Sequence, residues 1–356
     1  MSLTNQGLLL LWYGVGGMRV IMKFLRHMPK ALSCVMWMGV MVCSALLLSA
    51  VGNRAQLGSN AVSSLNFLIL PIMLVYTALY SIPPKARLAI MLTNIALSFV
   101  FIQLYHSGFR HWAEDAYGEY TSTAVTLGYS NPNQTALFLL SCFIGLVVGV
   151  FYFKTQTVKC LLCIDALYIA WILYGTESRT TFLAVLLFLG MIVAKRLWGW
   201  SKKWTNVAVL IPLGYAVLAL FFIAYFGGVE LWGESFFNGR EDIYQQYLDN
   251  LSVVNFIFGD FNEFKFSNLH NGYVSVAATA GVFTVWFFIK LIKKSMDSNF
   301  ETAMSGGYSS VAFFGMLCII LCSSTEAAYF VGGSTYAFLV FTIFAMFAHP
   351  YAKEES

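Results

Sequence analysis

The chain has 356 residues, of which 59% are hydrophobic and only 11% are charged. Water-soluble domains carry about 25% charged residues, so this composition excludes an ordinary soluble protein and indicates that lipid surrounds most of the chain. An open sheet cannot satisfy its backbone groups in lipid. We therefore predict an all-α polytopic membrane protein, with residues 1–356 in a single membrane domain.

Eleven apolar stretches approach the roughly 20 residues that a helix needs to cross a hydrocarbon layer of about 30 Å. The first is the weakest because four residues, Gly14, Gly16, Gly17 and Arg19, interrupt it. It could also be a signal-peptide core, although a basic start and a small-residue cleavage site are missing. About 11 transmembrane helices are thus expected, near residues 7–22, 31–51, 66–82, 87–106, 134–153, 158–174, 178–194, 205–226, 272–292, 308–324 and 335–348.

Seven cysteines lie in or at the edges of these stretches. Their odd number and apolar setting argue against a disulfide framework. Cys160 and Cys163 have a spacing seen in metal sites, but no second Cys or His pair accompanies them. We expect the cysteines to act as small hydrophobic residues in helices, and we predict no metal site.

The connecting segments alternate in charge. Sixteen of the 21 lysines and arginines fall on one side of the predicted bundle. By the positive-inside rule that side is cytoplasmic, which places the N-terminus outside and the C-terminus inside. The loops expected on the outer side are 52–65, 107–133, 175–177, 227–270 and 325–334.

The outer basic residues are mostly arginine: Arg54, Arg110, Arg179 and Arg240, with Lys265 as the exception. Arginine presents a planar fork that suits bidentate phosphate contacts. The alternative is a set of interfacial salt bridges with outer acidic groups. For Arg54 and Arg110 both interpretations stay open, whereas the surroundings of Arg179 and Arg240 favour a functional role.

The long outer loop 227–270 contains an amphipathic helix pattern, with apolar residues at positions 243, 244, 247, 248 and 251. Asn238 can cap this helix, and Glu241 and Asp242 suit its first turn. We expect the helix to lie on the bilayer surface. Arg240 would then stand beside the free N–H groups of the helix N-terminus, a favourable place for an anion.

The same loop ends in His270-Asn271-Gly272-Tyr273, where the next apolar stretch begins. A single histidine is more often structural than catalytic. Here its place at the membrane boundary, beside an arginine-bearing loop, favours catalysis. Histidine is the side chain whose pKa best suits proton transfer near neutral pH.

A second outer turn, Glu177-Ser178-Arg179-Thr180, opens the seventh apolar stretch. An arginine at that position costs free energy unless it is paired or faces a polar cavity. Glu177 or an anionic ligand could pair with it. Asp165, farther inside the membrane, could form a helix-packing hydrogen bond or act in a transport relay.

These motifs together resemble the O-antigen ligase and polymerase superfamily. The similarity covers residues 125–292 in order and spacing. The segments that carry it are Tyr129-Ser130-Asn131-Pro132-Asn133, Ser178-Arg179-Thr180, Gly239-Arg240, Gly259 and His270-Asn271-Gly272-Tyr273.

The resemblance implies a GT-C-like membrane glycosyltransferase in the bacterial inner membrane. It would act on the periplasmic face on an undecaprenyl-diphosphate-linked glycan donor and a glycan acceptor, by inverting transfer without metal or cofactor. Arg179 and Arg240 would hold the diphosphate, and His270 would be the general base. Membrane lipid and a chain-length regulator protein are further candidate partners, and no nucleic acid is expected. Candidate supporting residues are Asn271, Glu177, Arg54, Arg110 and Tyr244.

Two activities occur in that superfamily. The compact chain and modest outer loop favour a polymerase of repeat units over a ligase that transfers the glycan to the lipid A core. A transporter is the rival class, with Asp165, Glu326 and the glycine-broken first stretch along its path, although no internal repeat supports it. A membrane scaffold is a third interpretation.

Overall fold

The structure of the protein, a computed structural model, describes residues 30–52, 67–75, 82–111, 124–129, 131–227, 230–231, 234–235, 240–259, 269–331 and 334–348. The predicted first span at 7–22, Arg54, Lys265 and the proposed helix cap Asn238 lie outside these residues.

The regular secondary structure of the described residues is helical apart from one very short antiparallel hairpin, in which Glu230 is paired with Ser235. Residues 67–75 are also helical. The labelled elements are α1 (Lys30–Gly52), α2 (Pro84–His106), α3 (Pro132–Tyr152), α4 (Gln156–Tyr174), α5 (Arg179–Trp198), α6 (Lys202–Phe226), β1 (Glu230–Leu231), β2 (Glu234–Ser235), α7 (Glu241–Asp249), α8 (Val253–Phe258), α9 (Gly272–Ala280), α10 (Val282–Ser298), α11 (Phe300–Met304), α12 (Gly307–Cys322), α13 (Ala328–Val331) and α14 (Ser334–Phe347).

Five helices, α2 to α6, are long and apolar enough to cross a membrane. Three shorter apolar helical stretches, Leu32–Leu46, Gly307–Cys322 and Thr335–Phe347, accompany them in the described part of the chain. The protein is therefore a helical, membrane-embedded protein, as the composition predicts.

The single span predicted at 272–292 is wrong in one respect: it consists of two helices, α9 and α10. They meet at Gly281, whose φ of 81° ends the first helix. Glycine tolerates this left-handed conformation because it has no Cβ. Hydropathy could not reveal the break, since the residues on both sides are equally apolar.

The centre of the bundle is formed by α3 and α12, whose side chains are buried almost all round. Both helices are apolar on every face, as expected of helices enclosed by others. In contrast, α4 and α5 bury only one side and present leucine and other apolar side chains outward.

Helices α5 and α12 run antiparallel and define the two ends of the bundle. At one end, Thr325 Oγ1 donates a hydrogen bond to Thr180 Oγ1 at 3.1 Å. At the other, Lys195 Nζ donates to Ser310 Oγ at 2.5 Å. We call the end at which α5 begins the site end. The 20 residues of α5 cover about 30 Å, the thickness of the hydrocarbon layer.

Exposed aromatic side chains mark both ends of these helices. Trp171 and Tyr174 lie near the end of α4 on the site end, whereas Trp198 and Trp204 lie at the opposite end. Tryptophan and tyrosine are enriched at membrane–water interfaces. Their placement puts Arg179, the first residue of α5, at the level of one interface.

Candidate functional site

Arg240 links α7 to the loop that follows α12. Its Nη1 donates a hydrogen bond to the carbonyl oxygen of Thr325 at 2.7 Å, and its Nη2 lies 3.3 Å from Glu326 Oε1. Arg240 is also the N-cap residue of α7, although no side-chain hydrogen bond caps the helix. The proposed cap, Asn238, lies outside the described residues, and the described helix begins at Glu241. Two acidic residues, Glu241 and Asp242, occupy the first turn as predicted.

The apolar face of α7 packs against protein. Tyr244 and Tyr247 are buried in a cluster formed with α6 and α9. The periodicity shows only that one face is apolar, and in the structure protein covers that face. The location of the helix at the bilayer surface stays a prediction. The residues of α6 and α9 in this cluster, with the adjoining Leu269, are Ala216, Ala219, Ile223, Val274 and Ala278.

Glu326 is a site residue that sequence reasoning placed only on a transport path. Its side chain is 8% exposed. Burial raises its pKa to about 7, while Arg240 acts in the opposite direction. The sequence does carry a signal: Glu326 is the only charged residue of the loop 325–334. A carboxylate isolated between two apolar segments needs a cation from elsewhere.

His270 is half-buried and has a φ of 48°, uncommon for a residue with a Cβ. Burial lowers its pKa to about 4, and the charge of Arg240 contributes in the same direction. The imidazole is therefore neutral at physiological pH and lies within electrostatic range of Arg240. A left-handed conformation costs about 1–3 kcal/mol, so the neighbouring residues must hold it in place.

Asn271 supplies much of that support. Its Oδ1 accepts hydrogen bonds from the backbone N–H groups of Tyr273 and Val274, at 2.9 and 3.0 Å, and caps α9. Its Nδ2 donates to the carbonyl oxygens of Ser324, at 2.8 Å, and Pro212, at 3.2 Å. Both N–H groups of the amide are used. Asn271 therefore positions the site, and we assign it no contact with substrate.

Gly272 and Tyr273 also attach the start of α9 to the neighbouring elements. The backbone N–H of Gly272 donates to the carbonyl oxygen of Ser323 at 2.8 Å. A Cβ at Gly272 would lie 2.6 Å from Phe330 Cδ2, so only glycine permits this approach. The Tyr273 hydroxyl donates to the carbonyl oxygen of Val209 at 3.1 Å, just before the helix-interior proline of α6. A proline inside a helix disrupts the backbone hydrogen bonds around it. Tyr273 and Asn271 donate to carbonyl oxygens in this part of α6.

Arg179 is exposed at the first position of α5, and Glu177, also exposed, has a φ of 58°. The adjacent Thr180 accepts the hydrogen bond from Thr325, the residue whose carbonyl oxygen binds Arg240. The start of α5 and the guanidinium of Arg240 thus flank the same residue. The structure brings the elements that carry Arg179, Arg240 and His270 to one end of the bundle.

Arg110 belongs to a different cluster at the same end. Its guanidinium lies 4.5 Å from the centre of the Tyr105 ring, and its carbonyl oxygen accepts from the N–H of Thr126. The neighbouring His106 stacks on Tyr168. A cation–π contact among interfacial aromatic residues favours the structural interpretation of Arg110.

Four buried hydroxyl groups have no hydrogen-bond partner among the described residues, those of Ser178, Tyr244, Ser275 and Ser295, and two of them adjoin the candidate arginines. One is Tyr244 Oη, on α7, and the other is Ser178 Oγ, at the N-cap of α5. Each lies next to one of the two candidate arginines in sequence or on the helix. Burial raises the pKa of Tyr244, so its hydroxyl stays protonated at working pH.

Some polar groups away from the site have structural explanations. Ser98 Oγ donates to Asp165 Oδ2 at 2.5 Å and joins α2 to α4. All seven cysteines are free thiols, as expected. Within the described residues no group of three or more His, Cys, Asp or Glu side chains could hold a metal ion.

Comparisons of the chain with protein-family models, with curated proteins and with solved structures find no match. The chemistry of the site therefore has to be argued from its own residues. Those residues offer a partly buried guanidinium with a carboxylate beside it, a neutral imidazole and unpaired hydroxyl donors. This combination can bind an anion and accept a proton.

Proposed function

We propose that the protein is a membrane glycosyltransferase. It polymerises undecaprenyl-diphosphate-linked repeat units on the periplasmic face of the bacterial inner membrane, by inverting and metal-independent transfer. The observation that carries this proposal is the partly buried Arg240, held by Glu326 and Thr325, within electrostatic range of a neutral His270. Arg179 stands at the same end of the bundle.

In the proposed reaction, a hydroxyl oxygen of the acceptor sugar attacks the anomeric carbon of the donor. The bond between that carbon and the diphosphate oxygen breaks, and undecaprenyl diphosphate leaves with the bonding electrons. His270 takes the proton of the attacking hydroxyl, a step that typically contributes about 10²–10⁴-fold. Arg240 and Arg179 stabilise the negative charge that develops on the diphosphate.

The electrostatics of His270 suit a base that acts only when the donor is bound. Its pKa of about 4 keeps the imidazole unprotonated, but it also makes the imidazole a weak proton acceptor. Part of that lowering comes from Arg240. A diphosphate bound to Arg240 offsets this positive charge, so donor binding raises the pKa of His270 towards its ordinary range.

Glu326 and Thr325 give Arg240 a fixed orientation. One terminal nitrogen donates to a carbonyl oxygen and the other lies beside a carboxylate oxygen. Each terminal nitrogen carries two N–H groups, so one bond on each leaves donors for an anion. A guanidinium that is oriented in advance loses less conformational entropy when it binds a diphosphate.

The test is a surface-glycan gel of a deletion strain complemented with variants. We expect His270→Ala and Arg240→Lys to leave lipid that carries a single repeat unit, because one lacks the base and the other the planar fork. Arg110→Lys is the matched control: it changes an exposed arginine at the same end and should give a full ladder. Bare core with glycan stranded on the carrier lipid would instead indicate a ligase. A full-length ladder from His270→Ala would refute the assignment of the base.

A further inference from the structure

The hydroxyl group of Tyr244 is buried without a hydrogen-bond partner among the described residues, and the side chain is only 1% exposed. A buried polar group that is unpaired destabilises the folded protein. The ring itself is well packed, in the cluster between α7, α6 and α9. Phenylalanine would fill the same space without the unpaired hydroxyl, so the packing alone does not explain a tyrosine.

Tyr244 is close to Arg240 along α7. Tyr244 lies one helical turn after Arg240, and its backbone N–H donates to the Arg240 carbonyl oxygen at 3.1 Å. Residues four apart lie on the same face of a helix. The Tyr244 side chain is also within electrostatic range of Tyr215, Arg240 and Glu326.

Ser178 repeats this arrangement beside the other arginine. It is the residue before Arg179 and is 7% exposed, yet its hydroxyl does not cap α5 and has no partner in the described part of the chain. Serine at an N-cap normally accepts a hydrogen bond from the first turn of the helix. Each candidate arginine is thus accompanied by one buried and unpaired hydroxyl.

We propose that Tyr244 and Ser178 donate hydrogen bonds to the diphosphate of the donor lipid, one beside Arg240 and one beside Arg179. This inference rests on the proposed function. The anion-binding site then comprises two guanidinium groups and two neutral hydroxyl donors. Bound diphosphate supplies the acceptors that the free protein lacks.

Tyr244→Phe gives the sharpest test because stability and function should move in opposite directions. Removal of an unpaired hydroxyl should raise the melting temperature of the purified protein in detergent. The same change should weaken binding of inorganic pyrophosphate, followed as its stabilisation of the protein against heat, by about tenfold. The ladder on the surface-glycan gel should shorten. Ser178→Ala should behave in the same way.

Tyr247→Phe is the matched control, since it removes a hydroxyl from another buried tyrosine of α7. We expect it to keep both pyrophosphate binding and the full ladder. A normal ladder from Tyr244→Phe, alongside the loss seen with Arg240→Lys, would overturn this inference and leave the proposed function standing. A normal ladder from Arg240→Lys and His270→Ala would overturn both.

Discussion

The backbones of Gly259 and Gly281 meet so closely that neither residue can carry a side chain. A Cβ on Gly281 would lie 1.9 Å from the carbonyl oxygen of Ile257, and a Cβ on Gly259 would lie 2.3 Å from that of Thr279. Both glycines have a φ near 80°. The end of α8 is therefore seated in the break between α9 and α10, which ties the loop carrying Arg240 to the helix that follows His270.

Gly281→Ala should destabilise the protein by about 3 kcal/mol, from steric overlap and from the left-handed conformation. The melting temperature in detergent would show this. Gly214→Ala in α6 is the control, because nothing lies within 4 Å of its Cβ position. Alanine in a helix interior should stabilise by up to about 1 kcal/mol. Equal melting temperatures for the two variants would contradict the close backbone contact.

Asn271→Asp tests the donor hydrogen bonds of the Asn271 amide apart from its acceptor hydrogen bonds. The carboxylate can still accept from the N–H groups of Tyr273 and Val274, but it would face the carbonyl oxygens of Ser324 and Pro212 with no donor. We expect a loss of about 3 kcal/mol at neutral pH. Acidification should recover part of it, since a protonated carboxyl can donate. Asn271→Ser, which keeps a cap, should lose less. An Asp variant as stable as wild type would contradict the assigned bonds.

The pH dependence of stability should have opposite signs for His270 and Glu326. The pKa of His270 falls from 6.5 to about 4 on folding. Between these values the unfolded chain binds the extra proton, so stability falls as pH falls. The pKa of Glu326 rises from 4.5 to about 7. There the folded protein binds the extra proton, so stability rises as pH falls from 7 to 4.5.

Single variants should reveal each contribution in turn. Glu326→Gln should leave the His270 trend, with a melting temperature that drops as pH is lowered from 6.5 to 4. His270→Gln should leave the Glu326 trend, with a melting temperature that rises as pH is lowered from 7 to 4.5. The double variant is the control and should show neither. Identical slopes in all three variants would mean that these groups do not titrate as their burial implies.

Asp165→Asn distinguishes a helix-packing role from a transport relay. The amide oxygen of asparagine can accept the same hydrogen bond from Ser98. We therefore expect stability within about 0.5 kcal/mol of wild type and a full surface-glycan ladder. A relay would need the ionisable carboxyl. The transporter would be favoured if Asp165→Asn abolished solute flux in proteoliposomes and His270→Ala kept an intact ladder.

Much of the helical framework could be predicted because apolar length is a local property. The stretches 87–106, 134–153 and 205–226 coincide closely with α2, α3 and α6. The break at Gly281 could not be predicted in this way. The break lies against the end of α8, and only the tertiary fold brings these two parts of the chain together.

The candidate site was predicted in part because the start of a helix is also a local property of the sequence. Sequence position placed Arg240 at the start of a helix, where it is found. His270 was expected at the start of a span and lies two residues before the short helix α9. The partner of Arg240 is Glu326, 86 residues away in sequence. No pattern in the loop 227–270 could identify it. Sequence also could not show that the hydroxyls of Tyr244 and Ser178 are buried and unpaired, because this depends on which residues pack around them in the tertiary structure.

The attachment of α9 to α6 has a consequence for how the two helices can vary. Asn271 and Tyr273 donate to main-chain carbonyl oxygens, at Pro212 and Val209, and not to side chains. Every amino acid supplies such an oxygen. Substitutions along this part of α6 can therefore accumulate without loss of the hydrogen bonds that hold His270 in place. Asn271 and Tyr273 cannot be replaced in the same way, because their side chains are the donors. The sequence constraint therefore applies to these two residues and not to α6.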